Sequence, residues 1–129
     1  MAKTIATVLG ALFVLLGLIG FVAPNLLGAH LSTTHNIIHL VSGAVSLYFG
    51  LAGSISAARM FCFVFGAVYL LLGVVGFIGG TGDDRMLHVL PGALELGTPD
   101  HVIHILLGLI YLVAGLMTGA DDRAPATAA

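Results

Sequence analysis

Histidine is the side chain in this sequence best able to do chemistry, and its spacing is not random. Of the six histidines, His35 and His39 stand four apart and His101 and His104 three apart, so each pair shares one face of a helix. Neutral imidazole suits Zn, Cu, Ni or Fe. His35, His39, His101 and His104, drawn from two helix starts, could therefore supply a metal's ligands. Asp100, four residues before His104, could be a further ligand or the carboxylate that fixes a histidine tautomer. The same residues allow a tetrapyrrole, haem b or another, with His39 and His104 as axial ligands and Gly43 and Gly108, one turn deeper, making room for the ring. They also allow no ligand at all. His39 and His104 would then hydrogen-bond each other or nearby backbone and close one end of a bundle, leaving His30, His35 and His88 as wet loop residues. Pairs of this spacing recur by chance, and no HExxH is present, so the three readings stay open.

Composition decides where such residues must sit. The 129 residues are 59% hydrophobic and 8% charged, with a mean hydropathy of +1.14, against about 25% charged in soluble domains. Four Lys+Arg cannot solvate a globule of this size, nor cluster into a nucleic-acid surface. One cysteine, Cys62, excludes an internal disulfide. No Ser-His-acid set, Walker loop or Rossmann glycine run is found, nor a lone acid inside an apolar run, the usual mark of proton-coupled transport. The expectation is a non-enzymatic integral membrane protein.

Four apolar runs are long enough to cross a bilayer as helices: Thr4–Val22, Ile37–Ile55, Met60–Ile78 and His101–Thr118. The first lacks a convincing cleavage site and has a copy inside the chain, so it reads as a retained helix and not as a signal peptide. Lys3, Arg59 and Arg123 fall on one side of this path and Arg85 on the other. Basic residues favour the cytoplasm, which puts both termini inside and the histidine-rich loops at the outer face of the inner membrane.

The path is also doubled. A shift of 56 residues lays Gly10, Gly17 and Gly20 on Gly66, Gly73 and Gly76; a shift of 65 lays His39 and Gly43 on His104 and Gly108. The expected fold is all-α, a four-helix transmembrane bundle of two parallel helical-hairpin repeats, residues 4–56 and 60–118, in one domain 1–118. A disordered cytoplasmic tail, 119–129, should follow. Small residues let helices in lipid approach closely. Gly10 with Gly17, the ridge Ser42, Ser46, Gly50 and Ser54, and Gly115 with Gly119 are read as packing faces. Asn36 and Asp100 suit helix starts, Thr98-Pro99 a cap and first-turn proline. Met86–Leu96 suits an interfacial or re-entrant piece lidding the bundle, and Leu26–Leu31 is its counterpart. Cys62 suits buried packing.

His35-Asn36-Ile37-Ile38-His39-Leu40 with Gly43, then Ala57-Ala58-Arg59, then Asp100 with His104 and Gly108, resembles the small four-span bacterial membrane proteins called domain of unknown function 4383, over about Thr4 to Thr118. The resemblance implies the fold and the membrane. It brings no reaction, and His101 departs from the family's pattern. The first functional expectation is an accessory or assembly subunit of a larger membrane complex, or a homo-oligomer, with lipid as the other partner and no nucleic acid. The alternatives are a protein that binds Cu, Zn or a tetrapyrrole through the outer histidines, and an oligomeric transporter of a small neutral solute.

Overall fold

The structure, a computed structural model, describes residues 1–121. Four helices carry it: α1 (Ala2–Gly20), α2 (Thr33–Leu51), α3 (Ile55–Gly79) and α4 (Thr98–Asp121). A single 3-10 turn, Leu26–Gly28, interrupts the α1–α2 loop, and the α3–α4 loop folds into an antiparallel hairpin of β1 (Leu87–Leu90) and β2 (Leu94–Leu96). α1, α3 and the Thr98–Gly119 stretch of α4 are long and apolar enough to cross a membrane. α2 matches α1 in length, but Thr33, Thr34, His35, Asn36 and His39 occupy its first two turns.

Local chemistry sets the helix starts earlier than the apolar runs suggest. α2 begins at Thr33, four residues ahead of Ile37, because the Ser32 hydroxyl accepts the His35 N–H at 3.2 Å. Asn36 is therefore not a starting residue; it lies one turn inside the helix, 1% exposed. α4 begins at Thr98. The Asp100 carboxylate reaches back to the Gly97 N–H at 2.9 Å, satisfying one of the helix's free donors. The same helix continues to Asp121, past the expected start of a tail; residues 122–129 lie outside the described part.

The lid expected at Met86–Leu96 is a hairpin. Pro91 and Gly92 occupy the centre of a tight turn closed by the Ala93 N–H on the Leu90 carbonyl at 2.9 Å, with Gly92 at φ +78°. His88 pairs with Glu95 and Leu87 with Leu96 across it. The Ser32 hydroxyl donates to the Ala93 carbonyl at 2.6 Å, tying the hairpin to the start of α2.

α1 packs chiefly on α2, and α3 chiefly on α4. The contacts are backbone on backbone. A Cβ built at Gly10 would lie 2.8 Å from the Leu47 nitrogen, and one at Gly43 2.8 Å from the Gly10 carbonyl. Gly66 and Gly108 oppose each other in the same way, at 2.9 Å and 2.8 Å from one another's carbonyls. Gly17 meets Leu40 and the Asn36 carbonyl; Gly73 meets Ile105 and the His101 carbonyl. Ser54 does not extend the small face of α2: it caps α3, accepting the Ala57 N–H at 3.1 Å. Between the two helix pairs Phe13 stacks near Tyr69, 5.4 Å between centroids, and the Tyr111 hydroxyl meets Ser46 at 3.0 Å. At the end holding Lys3 and Arg59, Thr118 accepts the Ala2 N–H, and buried Cys62 faces the Ala2 carbonyl at 3.7 Å.

Gly43→Ala should therefore cost about 1–3 kcal/mol through overpacking. Gly79→Ala, with nothing nearer than 4.0 Å, should stay within about 0.5 kcal/mol. Reversible unfolding in micelles compares the two; equal losses would remove the close crossing as the cause.

Candidate metal centre

Three imidazoles converge where α2 and α4 begin. His35, His39 and His104 are 3%, 4% and 4% exposed, and each offers a ring nitrogen within 4.8 Å of the others. The His35 and His39 rings, four residues apart on α2, sit 4.3 Å centroid to centroid, and His104 of α4 lies 6.3 Å from His35. A centre shared by three such atoms is at most about 2.8 Å from each, a small rotamer adjustment away from the roughly 2.0–2.1 Å of a Zn–N bond.

The hydrogen bonds around the cluster suit ligation. His35 Nδ1 lies 2.8 Å from the His30 carbonyl. A carbonyl only accepts, so Nδ1 carries the proton and Nε2 keeps its lone pair, the arrangement in which backbone orients a metal-binding ring. Among the described residues, His39 Nδ1 and His104 Nδ1 are buried without a hydrogen-bond partner, as are His30 Nδ1, Asn36 Oδ1 and His101 Nδ1. Leaving a buried polar atom unpaired costs about 1–3 kcal/mol. The aromatic neighbours cannot relieve it, for Phe13 packs on His39 at 5.5 Å and the Tyr69 ring on His104 at 5.3 Å.

Not every residue singled out by spacing joins the group. His101 stands about 60° around the helix from His104, and its contacts lie on the side of α3 and the α3–α4 loop. Its Nε2 donates to the Arg85 carbonyl at 2.7 Å, and its ring lies against Phe77 and Gly76. Asp100 also stands outside the cluster: its Oδ2 accepts from Gly97 at 2.9 Å and from the His30 N–H at 3.4 Å. Gly43 and Gly108 do not make room for a tetrapyrrole ring. The space a side chain would take there is filled by the backbone of α1 and α3. Phe13 and Tyr69, which wall the imidazoles, carry no chemical signal in the sequence, although the 56-residue shift places one on the other.

Two cavities flank the cluster. One, of about 300 Å³, lies between α1 and α4 under the Leu26–Leu31 loop. The other, of about 190 Å³, lies between α2 and α3 under β2. All three histidines border both.

The family model described as Domain of unknown function (DUF4383) matches residues 3–117. The chain belongs to that family. It matches no curated protein and no solved structure. The DUF4383 match spans all three clustered histidines, and it assigns them no role.

Outside the DUF4383 helices, the hairpin carries its own ionisable pair. His88 Nδ1 donates to Glu95 Oε1 at 3.0 Å, and the Gly92 N–H donates to the same oxygen at 3.2 Å. The His88 hydrogen bond first, and the Gly92 bond second, lower the Glu95 pKa from its usual 4.5. A lowered carboxyl favours the hairpin above its unfolded pKa, and that contribution is lost as pH falls through the folded value. In a carbon-detected NMR titration Glu95 should titrate below 4.5 in the native chain, and His88→Ala should move it upward. An unmoved midpoint would show that His88 does not hold it.

Proposed function

We propose that this chain is a non-enzymatic membrane protein that binds one transition-metal ion through His35, His39 and His104. The observation that carries the proposal is the convergence of three buried imidazoles, one already held in ligating tautomer and two with unpaired nitrogens. Three neutral ligands leave a fourth position open and contribute no charge of their own. Asp100 borders the larger cavity beside them, so Cu(I) would be offset by one carboxylate while Zn²⁺ would keep a net positive charge. An uncompensated buried charge costs several kcal/mol, which favours Cu(I). Asp100 is already engaged with two N–H groups, leaving no free acid to drive hydrolysis; binding is the better reading.

α2 completes the topology in this proposal as a fourth crossing. Its polar side chains point inward, with His35, Asn36, His39 and Ser46 all at most 4% exposed, so lipid meets Ile37, Val41, Val45 and Tyr48 instead. Two hairpin repeats then share a pseudo-twofold axis. Their support is that contacts recur under the shifts of 56 and 65: Gly20 on Asn36 matches Gly76 on His101, Gly50 on Thr7 matches Gly115 on Phe63, and Phe13 on His39 matches Tyr69 on His104. Ser46 and Tyr111, partners under the same shift, bond each other across the axis. The Gly10, Gly17, Gly43, Gly66, Gly73 and Gly108 faces are occupied by these internal contacts, and the axis of the single bundle is filled by Phe13, Tyr69, Ser46 and Tyr111.

The inner-membrane orientation places Lys3 and Arg59 in the cytoplasm and the hairpin outside. In a Cys62→Ser background, a cysteine at Asp83 should react with an impermeant maleimide on intact cells, and one at Ser56 only after lysis. The opposite pattern would invert the topology.

Metal binding is read by competition with a Cu(I) chelator on purified protein. One equivalent should bind, His39→Ala and His104→Ala should each weaken it by at least about 100-fold, and His101→Ala should leave it unchanged. No bound ion in the native chain, or equal loss in His101→Ala, would overturn the proposal.

A further inference from the structure

Two of the three clustered imidazoles stand on α2 and one on α4, yet α2 packs chiefly on α1 and α4 chiefly on α3. A cluster divided between two helix pairs needs a link across them, and one polar path provides it. The path starts at Asp100, one turn before His104 on α4 and 3% exposed. Asp100 Oδ2 accepts the His30 N–H at 3.4 Å, and the His30 carbonyl accepts the His35 Nδ1 proton at 2.8 Å. The same carboxylate oxygen accepts the Gly97 N–H at 2.9 Å, which anchors it to the start of α4. One residue of the α1–α2 loop thus donates to α4 through its N–H and accepts from α2 through its carbonyl.

The His30 side chain is not part of this path. Its Nδ1 lies 3.6 Å from Asp100 Oδ2, beyond hydrogen-bond reach, and the side chain is 42% exposed. Next to it, the Leu31 N–H donates to the Pro24 carbonyl at 2.9 Å. That bond lies within the α1–α2 loop and brings nothing from α4. Asp100 is the member that reaches across.

We infer that Asp100 is a positioning residue for His35, holding the imidazole in its Nδ1–H tautomer through the His30 peptide. A carboxylate acceptor shortens and strengthens the bond it receives, and hydrogen bonds in series polarise one another. The His30 carbonyl therefore becomes a better acceptor for His35 Nδ1–H, and Nε2 is left with the lone pair. The use of that lone pair as a ligand rests on the metal reading above; the tautomer does not. Loss of such an outer partner weakens metal binding by about 10–100-fold. Asp100 also carries charge, so affinity alone does not separate positioning from charge balance.

The tautomer does separate them. The test is the ring nitrogen-15 spectrum of the histidine-labelled full chain in micelles, chelator-stripped, at about pH 8, where ordinary imidazole is neutral. His35, assigned by the signals lost in His35→Ala, should show a protonated Nδ1 and a bare Nε2. Asp100→Ala should move both nitrogens toward the averaged shifts of a ring exchanging between tautomers. Asp100→Asn keeps an acceptor oxygen without the charge, and His30→Ala keeps the peptide, so both should retain the native pattern. In Asp100→Asn the His30 amide proton should move upfield as a charge-assisted bond becomes a neutral one, a readout that stands even if Asp100→Ala does not fold. A native His35 in the Nε2–H form, an unchanged pattern in Asp100→Ala, a pattern lost in Asp100→Asn or His30→Ala, or an unmoved His30 amide would each overturn the inference. Cu(I) competition on the same samples keeps the two readings apart. A native chain with the tautomer held but no bound ion overturns the metal reading alone; one bound equivalent with His35 in the Nε2–H form overturns this one alone.

Discussion

Helices surrounded by lipid gain nothing from hiding leucine from leucine, because the acyl chains are just as apolar. Their association has to come from close backbone approach and from polar groups that find partners. Gly10 against Gly43 and Gly66 against Gly108 provide the first, at distances no side chain would permit. Much else follows from those two crossings. His39 stands one turn before Gly43 and His104 one turn before Gly108, so fixing the glycines fixes the depth of the imidazoles. Phe13 and Tyr69, each one turn from a crossing glycine, are delivered to the axis between them.

The interior built in this way is unusually polar for so apolar a chain. Asn36, Ser46, Tyr111 and four histidines, His35, His39, His101 and His104, are all buried, while Val, Leu and Ile take the outside. This is the reverse of a water-soluble domain. Some of the interior groups are bonded to each other and to backbone: Ser46 donates to the Ala6 carbonyl at 2.7 Å and Tyr111 donates to Ser46. Among the described residues five buried polar atoms lack a partner, on His30, Asn36, His39, His101 and His104, and of these His39 and His104 stand in the three-histidine cluster.

The outline of the fold is legible in the sequence because it rests on composition and period. Charge-free runs mark all four helices, and matched glycines mark where they touch. The histidine pairs are visible as pairs, but their directions are not: His101 and His104 differ by about 60° around the helix, enough to send one to Arg85 and the other to the axis. Gly43 and Gly108 look alike whether they admit a cofactor or a neighbouring backbone, and only the crossing decides. The start of α4 is legible in Thr98-Pro99 and Asp100, whereas that of α2 escapes a reading of apolar runs because Ser32 acts through a single hydrogen bond outside its run. The hairpin at Leu87–Leu96 escapes it too, although Leu90-Pro91-Gly92-Ala93 has the composition of a type II turn; the apolar residues around that turn imitate a membrane-surface segment.

If the chain is a duplicated hairpin, its chemistry comes from where the copies differ. The 65-residue shift that lays His39 on His104 also lays His35 on Asp100 and Asn36 on His101. The last pair kept its packing role, since Asn36 fills the space beside Gly20 as His101 fills that beside Gly76. The His35/Asp100 pair did not. A faithful copy would have given either two acids and two imidazoles or four imidazoles around the axis. The divergent copy gives three imidazoles together and one carboxylate set apart, bound to the start of its own helix. For a cation held in a medium of low dielectric, that is the arrangement that supplies neutral ligands for coordination and a single negative charge for balance. On the proposed reading, symmetry would position the site, and the difference between His35 and Asp100 would supply the single charge that a monovalent ion requires.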